Sequence, residues 1–465
     1  MAESATRPAA VRGQEPTAEQ AAEQVARQAY GRLLAYLAWQ WRDLAAAEDA
    51  LSDAFAAALK HWPLDGVPAS PEGWLMTAAR RVLLQQHRHH QLANSPEVQA
   101  TLGLLDAASD ALPAAIATPE ATAEAAPSIP DRRLQLLLVC AHPSLPASDH
   151  APLMLQTVLG LDAQRIAGAF LISPAAMAQR LVRAKARIRE AGLRFELPDL
   201  DELPARLGAV LDGIYAAYTI GSDLAAPAPE ADEALREEAV FLARLVAHLQ
   251  PGAAEAFGLL TLMLHAQARR PAQFNAAGDF VPLTQQDTAL WSRPLMHEAE
   301  TALWHAAALR APGPFQLEAA IQSAHSHRAH TGQTPWAAIA QLYGLLVDQH
   351  GSSGARIGQA VATAEAGSVE AGSVEAGLAL LDQLASTLPA ARLASHQPYW
   401  VARAHLLHRQ CLQLDEAARR GPIEAEAQAA LQRAVGLTAD PRVRRYLLQA
   451  MALPAAGTAP TTSAA

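Results

Sequence analysis

Apolar side chains recur at three- and four-residue steps along most of this chain. Tyr30, Leu34, Leu37 and Trp41 form one such stripe, and Leu44, Ala47, Leu51, Ala54, Ala58 and Trp62 form the next. That is the spacing of helices burying one face each. The Pro/Gly stretch Pro63 to Pro71 predicts a loop, with Ser70 as N-cap and Pro71 at the first position of a third helix. That third helix is predicted to bury Leu75, Ala78, Ala79 and Val82. Further along, Asp162 predicts the cap of a short helix with Ile166, Ala169 and Phe170 inward. After a tight turn, Ser173-Pro174 restarts the chain, and Met177, Leu181, Ala184 and Ile188 line one face of the next helix. In the C-terminal half, Trp336, Ile339, Ala340 and Tyr343 have the opening spacing of a tetratricopeptide helix. Helices around Gly377–Leu384, Tyr399–Leu412 and Glu424–Val435 are expected to stack as hairpins. Alternating Val/Ile runs are scarce, so the expected fold class is all-α.

Composition divides this helical pattern into blocks. Residues 19–92 are predicted to form a compact helical domain and 131–196 a second one. Between them, 93–130 is an acidic tether with five acids and no Lys or Arg. Residues 197–455 are a helical-repeat extension, and 456–465 are read as a disordered tail. One tandem duplication, AGSVE at Ala366–Glu370 and Ala371–Glu375, is assigned to a loop. No apolar run reaches the roughly 18 residues that suggest a membrane span, and the first twenty residues lack the apolar core of a signal peptide. Two cysteines, Cys140 and Cys411, cannot build a disulfide framework and suit a reducing compartment. A cytoplasmic protein is expected.

The formal net charge of −10 conceals an uneven distribution. From Leu161 to Phe195, seven cations oppose two acids, a net of +5, whereas 197–455 contains no lysine and carries −8. The basic island lies on the second of the two capped helices. There Arg180, Arg183 and Arg187, with Lys185 and Arg189 beside them, sit on faces distinct from the apolar stripe. A capped helix, a tight turn and a basic second helix predict a helix-turn-helix whose second helix enters the major groove. Motifs for a P-loop, a dinucleotide site, a zinc protease or a nucleophile elbow are missing, so no enzyme and no cofactor is expected. The clusters His87, His89, His90 and His325, His327, His330 lack ligand spacing and are read as surface residues rather than a metal site.

Taken together, these segments resemble an RNA polymerase sigma factor of the extracytoplasmic-function class. DLAAAEDALSDAFAAALKHW (Asp43 to Trp62) is similar to the acidic polymerase-binding helix of sigma region 2, and PEGWLMTAARRVLL (Pro71 to Leu84) to its promoter-melting helix. IAGAFLISPAAMAQRLVRAKARIR is similar to the helix-turn-helix of region 4. LARLVAHLQP, ARRPAQFNAAGDFVPLTQQDTALW and GPFQLEAAIQSAH resemble the extension of the subgroup with a tetratricopeptide-like C-terminal domain. The sequence differs from the subgroup in keeping one cysteine in VCAHP, in Tyr218–Ser222, and in having alanine at 176 and 178.

The resemblance implies core RNA polymerase and promoter DNA as partners. Asp43, Glu48, Asp49 and Asp53 would dock on the polymerase clamp. Arg80, Arg81 and Arg88 would hold the separated minus-ten strand. Gln179 and Arg183 would read the minus-35 element, because Gln pairs with adenine and Arg with guanine through two hydrogen bonds. Arg180, Lys185 and Arg187 would contact phosphate or serve structure. The acidic tether would occupy the polymerase RNA path. The extension is expected to gate activity in cis by contact with the sigma domains or polymerase. Two rival readings are a conventional helix-turn-helix regulator and a helical-repeat adaptor, neither acting as a polymerase subunit.

Overall fold

The computed structural model describes residues 17–93, 131–193, 195, 198, 202–222, 229–367, 373–414 and 417–450. Residues 94–130 of the expected tether, the tail 456–465 and residues 368–372 of the AGSVE duplication lie outside them. Every named element among the described residues is helical, and the only pairing of extended backbone there is an isolated bridge between Phe274 and Phe280. The chain divides into two compact units between Ala217 and Tyr218.

The first unit opens with three helices: α1 (Ala18–Trp41), α2 (Leu44–Asp65) and α3 (Pro71–Ala93). Thr17 and Gln20 cap α1 reciprocally, and Asp43 accepts from the Ala46 amide to cap α2, each supplying a partner for an otherwise orphaned donor. All six apolar positions predicted for α2 are buried, from Leu44 to Trp62, none more than 3% exposed. Helix α2 nonetheless continues through Pro63 to Asp65, beyond the expected boundary at Trp62. It ends where Gly66 adopts φ +87° and its amide bonds the Trp62 carbonyl. Ser70 caps α3 as expected, at 3.4 Å from the Gly73 amide. The rings of Trp62 and Trp74 meet edge to face at 5.7 Å across the intervening loop. In α3, Leu75, Met76, Ala79 and Leu83 are buried while Val82 is half-buried. The stripe therefore runs at strict four-residue steps from Leu75 and passes one residue beyond Val82.

Five further helices follow: α4 (Arg133–Cys140), α5 (Ala147–Thr157), α6 (Ala163–Phe170), α7 (Pro174–Glu190) and α8 (Leu203–Gly221). Asp162 caps α6 at 2.8 Å from the Arg165 amide, and Ser173 caps α7 at 3.2 Å from the Ala176 amide. All four predicted core positions of α7 are buried. In α6 the inward pair is Ile166 and Ala167, whereas Ala169 is exposed. With only two turns before Leu171 enters the left-handed region at φ +55°, α6 turns a narrower face inward than its sequence suggests. Helix α8 begins beyond the expected domain boundary at 196, yet its first part belongs to this unit. Leu207, Val210, Leu211 and Ile214 are buried, and Gly213 lies against the Met154 side chain of α5.

The second unit contains α9 (Pro229–Leu249), α10 (Ala254–Ala268), α11 (Arg293–Ala308), α12 (Pro314–Ser326), α13 (Trp336–His350), α14 (Ser353–Ala366), α15 (Ser373–Thr387), α16 (Gln397–Gln413), α17 (Ala417–Gly436) and α18 (Pro441–Ala450). Helix α10 is its centre, with an uninterrupted buried run from Gly258 to His265, the signature of a helix covered on all sides. The tetratricopeptide-like positions of α13 behave as predicted. Ile339 is fully buried, and Trp336, Ala340 and Tyr343 pack on the same cluster as Leu317 and Ile321. Between α10 and α11 the chain leaves the helical pattern for short 3-10 turns. Arg328 holds them by donating to the Leu283 and Gln286 carbonyls.

A buried polar network crosses α10, α11 and α12. Fully buried His265 places Nδ1 3.1 Å from the Ser326 hydroxyl and Nε2 3.2 Å from a Glu300 carboxylate oxygen. Arg269 donates to Ser326 and Gln322, and burial pulls its guanidinium down to about 10. The surface reading of His325 is corrected here. It stacks edge-on against Trp336 at 5.4 Å, and burial, reinforced by Arg269 and Arg328, lowers it to about 4. Between pH 6.5 and 4 an unfolded chain protonates this histidine while the native one does not, so native stability falls as pH drops through that window. The denaturation midpoint of the full chain, followed by tryptophan fluorescence, is expected to decline from pH 6.5 to 4. His325→Phe should flatten that decline, and an unchanged slope in the variant would refute the assignment.

Candidate nucleic-acid and polymerase interface

Helix α7 has its apolar side fixed in the core by Met177, Leu181, Ala184 and Ile188. What remains is a largely polar surface, interrupted by exposed Val182, whose five candidate residues have different fates. Gln179 and Arg183 are both exposed, and a four-residue separation puts them on one helical face. Arg180 and Arg187 instead converge on a buried carboxylate. Asp149 of α5 lies 2.5 Å from Arg180 Nε and 3.3 Å from Arg187 Nη1, and Arg180 also donates to the Ser148 carbonyl. Asp149 therefore braces α7 against α5 and partly neutralises two of its cations. A groove of about 410 Å³ opens beside this brace, lined by Pro146, Ile172, Ala176, Arg180, Arg183 and Arg187 among others.

Lys185 does not face outward with the other cations. Its ammonium lies 2.5 Å from Glu48 of α2, and both side chains are largely covered, at 14% and 17% exposure. The expected grouping of Asp43, Glu48, Asp49 and Asp53 as one acidic docking face is thus divided by the fold. Asp43 is occupied as the α2 cap, and Glu48 is engaged by Lys185. Asp49 and Asp53 remain exposed, one turn apart. The expected exposure of Arg80, Arg81 and Arg88 holds for two of the three. Arg81 and Arg88 are exposed, but Arg80 lies over the Tyr36 ring and donates to its hydroxyl at 3.0 Å. Leu64 and Val67, in the segment before α3, are exposed apolar side chains.

The Lys185–Glu48 pair belongs to a wider junction between the first three helices and the helix-turn-helix domain. Helix α1 packs against α4 and α5 as well as against α2 and α3. At its middle, Gly31 meets the backbone of Val158 so closely that a Cβ would overlap the Val158 carbonyl oxygen. Beside it the Tyr30 ring covers Gly160, whose φ of +66° suits glycine. A Cβ there would stand 3.3 Å from the ring. Burial and then the Glu48 carboxylate push the Tyr30 phenol upward. Nearby, the Arg132 guanidinium sits 4.3 Å from the Trp39 ring centroid. Gly31, Asp149, Val158 and Gly160 escape a reading of the sequence alone. The available signals, a glycine inside an apolar helix and an isolated Asp before an apolar run, name no partner.

Comparison with known proteins fits this geometry. Residues 25–92 match the family model for sigma-70 region 2, and residues 206–307 match the family of unknown function DUF6596. No solved structure matches the chain. An uncharacterized protein of Rhizobium meliloti (strain 1021) is 35% identical over 421 residues, which cover 90% of this chain and 92% of that protein. The chain belongs to the same family as this rhizobial protein, and its N-terminal helices are of the sigma-70 region 2 type.

Proposed function

We propose that the chain is a sigma factor of the extracytoplasmic-function class. It binds core RNA polymerase, directs it to promoters, and carries a tetratricopeptide-like extension that regulates it in cis. The observation that carries this reading is the pairing of a region 2 match at 25–92 with a capped helix-turn-helix in the same compact unit. Binding and initiation need no catalytic group of the factor's own. Region 2 docks on polymerase through Asp49 and Asp53 and holds the melted strand near Arg81 and Arg88. Helix α7 reads the upstream element through Gln179 and Arg183. The site of action is the cytoplasm. Among the described residues no helix is long and apolar enough to cross a membrane. A conventional helix-turn-helix regulator would leave the region 2 match without a purpose, and an adaptor would leave the exposed Gln179–Arg183 face without one.

The extension gates this activity. An acidic helical array suits protein contacts, and the compact first unit ends within α8, so a cut after Gly221 leaves that helix whole. Truncation there should change run-off transcription sharply, and the family resemblance favours loss. Equal transcription by truncated and full-length protein would remove the gating role. Reversing both Asp49 and Asp53 to Lys should weaken co-purification with core polymerase while circular dichroism stays unchanged. Undiminished binding would remove the docking assignment. Arg183→Ala should cost about 1–3 kcal/mol of promoter affinity and relax specificity at one base pair. Arg187→Ala should weaken binding to all sequences alike and lower the salt slope. Equal, sequence-blind losses in titrations of matched and scrambled duplexes would show that base reading lies elsewhere.

A further inference from the structure

We propose that the second unit contains a binding site for a small phosphate group, formed by Arg236 of α9 and Arg270 just beyond α10 around the Tyr218 hydroxyl. Such binding does not depend on the sigma reading. Arg236 is 3% exposed and Arg269 9%. Among the described residues neither they nor Arg270 forms an ion pair, although a buried charge is ordinarily paired. Arg236 donates to the Gly221 carbonyl, and its buried Nε has no acceptor. Arg269 turns the other way, to the neutral Ser326 hydroxyl and Gln322 amide oxygen.

Three elements bring these groups together. The end of α8 comes so near α9 that a Cβ on Gly221 would stand 2.8 Å from the Asp232 carbonyl oxygen and 3.0 Å from Arg236 Cγ. One turn earlier on α8, the Tyr218 hydroxyl reaches the Met263 carbonyl of α10 at 3.3 Å. Gln267 lies one turn beyond Met263 on the same side of α10, its buried Oε1 without a partner, and the chain then turns at Arg270. Burial first and the Arg270 charge second pull the Arg236 guanidinium below its usual range, and Glu233 and Asp232 oppose this less strongly. Tyr218 cannot serve as the balancing anion. Burial pushes its phenol up to about 12 despite Arg270, Arg236 and Arg269 nearby, so at neutral pH it is an uncharged hydroxyl. Two guanidinium groups, a hydroxyl and an amide side chain are the partners that a phosphate takes. The cover over Arg236 and Tyr218 restricts the ligand to a small one, and half-buried Arg270 gives the site its edge towards solvent.

Calorimetric titration of the full-length protein with inorganic phosphate, and separately with glycerol phosphate, at constant ionic strength in chloride buffer tests the site. Saturable binding of both is expected if the ligand is a phosphate-tipped metabolite, and of inorganic phosphate alone if it is the free ion. Arg270→Gln should weaken binding about tenfold or more, the effect of losing a hydrogen bond between charged groups. Arg293→Gln, at an exposed arginine of the same unit, should leave it unchanged. Thermal melts separate a ligand site from a packing role. Phosphate should raise the midpoint of the parent protein. Arg270→Gln should raise the midpoint of the phosphate-free protein, by relieving repulsion of Arg236, and remove the further rise that phosphate gives. Absence of saturable binding by either anion overturns the site, as does undiminished binding in Arg270→Gln or an equal loss in Arg293→Gln. A lowered phosphate-free midpoint in Arg270→Gln assigns that arginine to packing and overturns the site too. None of these measurements involves polymerase or promoter DNA, so failure here leaves the sigma reading standing.

Discussion

Helix α1 is required on two sides at once, and most of the first unit follows from that. Leu33, Leu34, Ala35, Leu37 and Ala38 are all essentially buried, a run too continuous for a helix with one covered stripe. One part of this surface is met by α2 and α3, and another by α4 and α5 of the helix-turn-helix domain. Two helices can approach this closely only where side chains are small, and Gly31 supplies the gap into which the Val158 peptide fits. With that approach fixed, α7 lies alongside α2, and Lys185 meets Glu48 there. The ion pair follows from the packing. Covered as it is, it contributes orientation more surely than stability, because desolvating two charges offsets much of their attraction.

Helices were legible in the sequence wherever one face met one core. The α2 stripe from Leu44 to Trp62 and the α7 stripe from Met177 to Ile188 were readable residue by residue, as were the caps at Ser70, Asp162 and Ser173. Readability failed where a second partner intervened. Nothing in the spacing of α1 separates a residue that faces α2 from one that faces α5, and nothing near Asp149 announces two arginines arriving from α7, about thirty positions later in the chain. The candidate DNA face was therefore legible as a set of cations but not as a division of labour. Composition grouped Arg180, Arg183, Lys185 and Arg187, whereas the fold assigns two to a brace, one to the junction, and leaves Arg183 beside Gln179 on the outer face.

The second unit departs from a simple stack of hairpins in a physically informative way. In an open solenoid each repeat touches only its neighbours. Here α18 returns to the segment that leaves α10. Arg445 pairs with Asp279 at 2.5 Å, Tyr446 meets Phe280 edge-on at 5.7 Å, and Arg442 covers Phe274 at 4.3 Å. Contacts across so many intervening residues tie the last helix of the extension to its early part. Together with the buried His265–Glu300–Ser326 network, they make the unit more cooperative than nearest-neighbour stacking alone would.

Charge bookkeeping along the chain now acquires a structural meaning. A protein with a net charge of −10 is repelled by DNA at long range, and only a concentrated basic face overcomes that. The helix-turn-helix segment has that concentration in sequence, but in the folded unit Asp149 and Glu48 oppose three of its cations. A cation that is both opposed and covered is one fewer to displace counterions from phosphate; Arg180 and Lys185 are covered in this way, whereas Arg187 keeps 46% of its side chain exposed. Asp149 lies within the same domain as the arginines it holds, so its opposition persists in any arrangement of that domain. Glu48 instead comes from α2, so its pairing with Lys185 joins a cation of α7 to an acid of a different three-helix group, and neither side chain is presented outward.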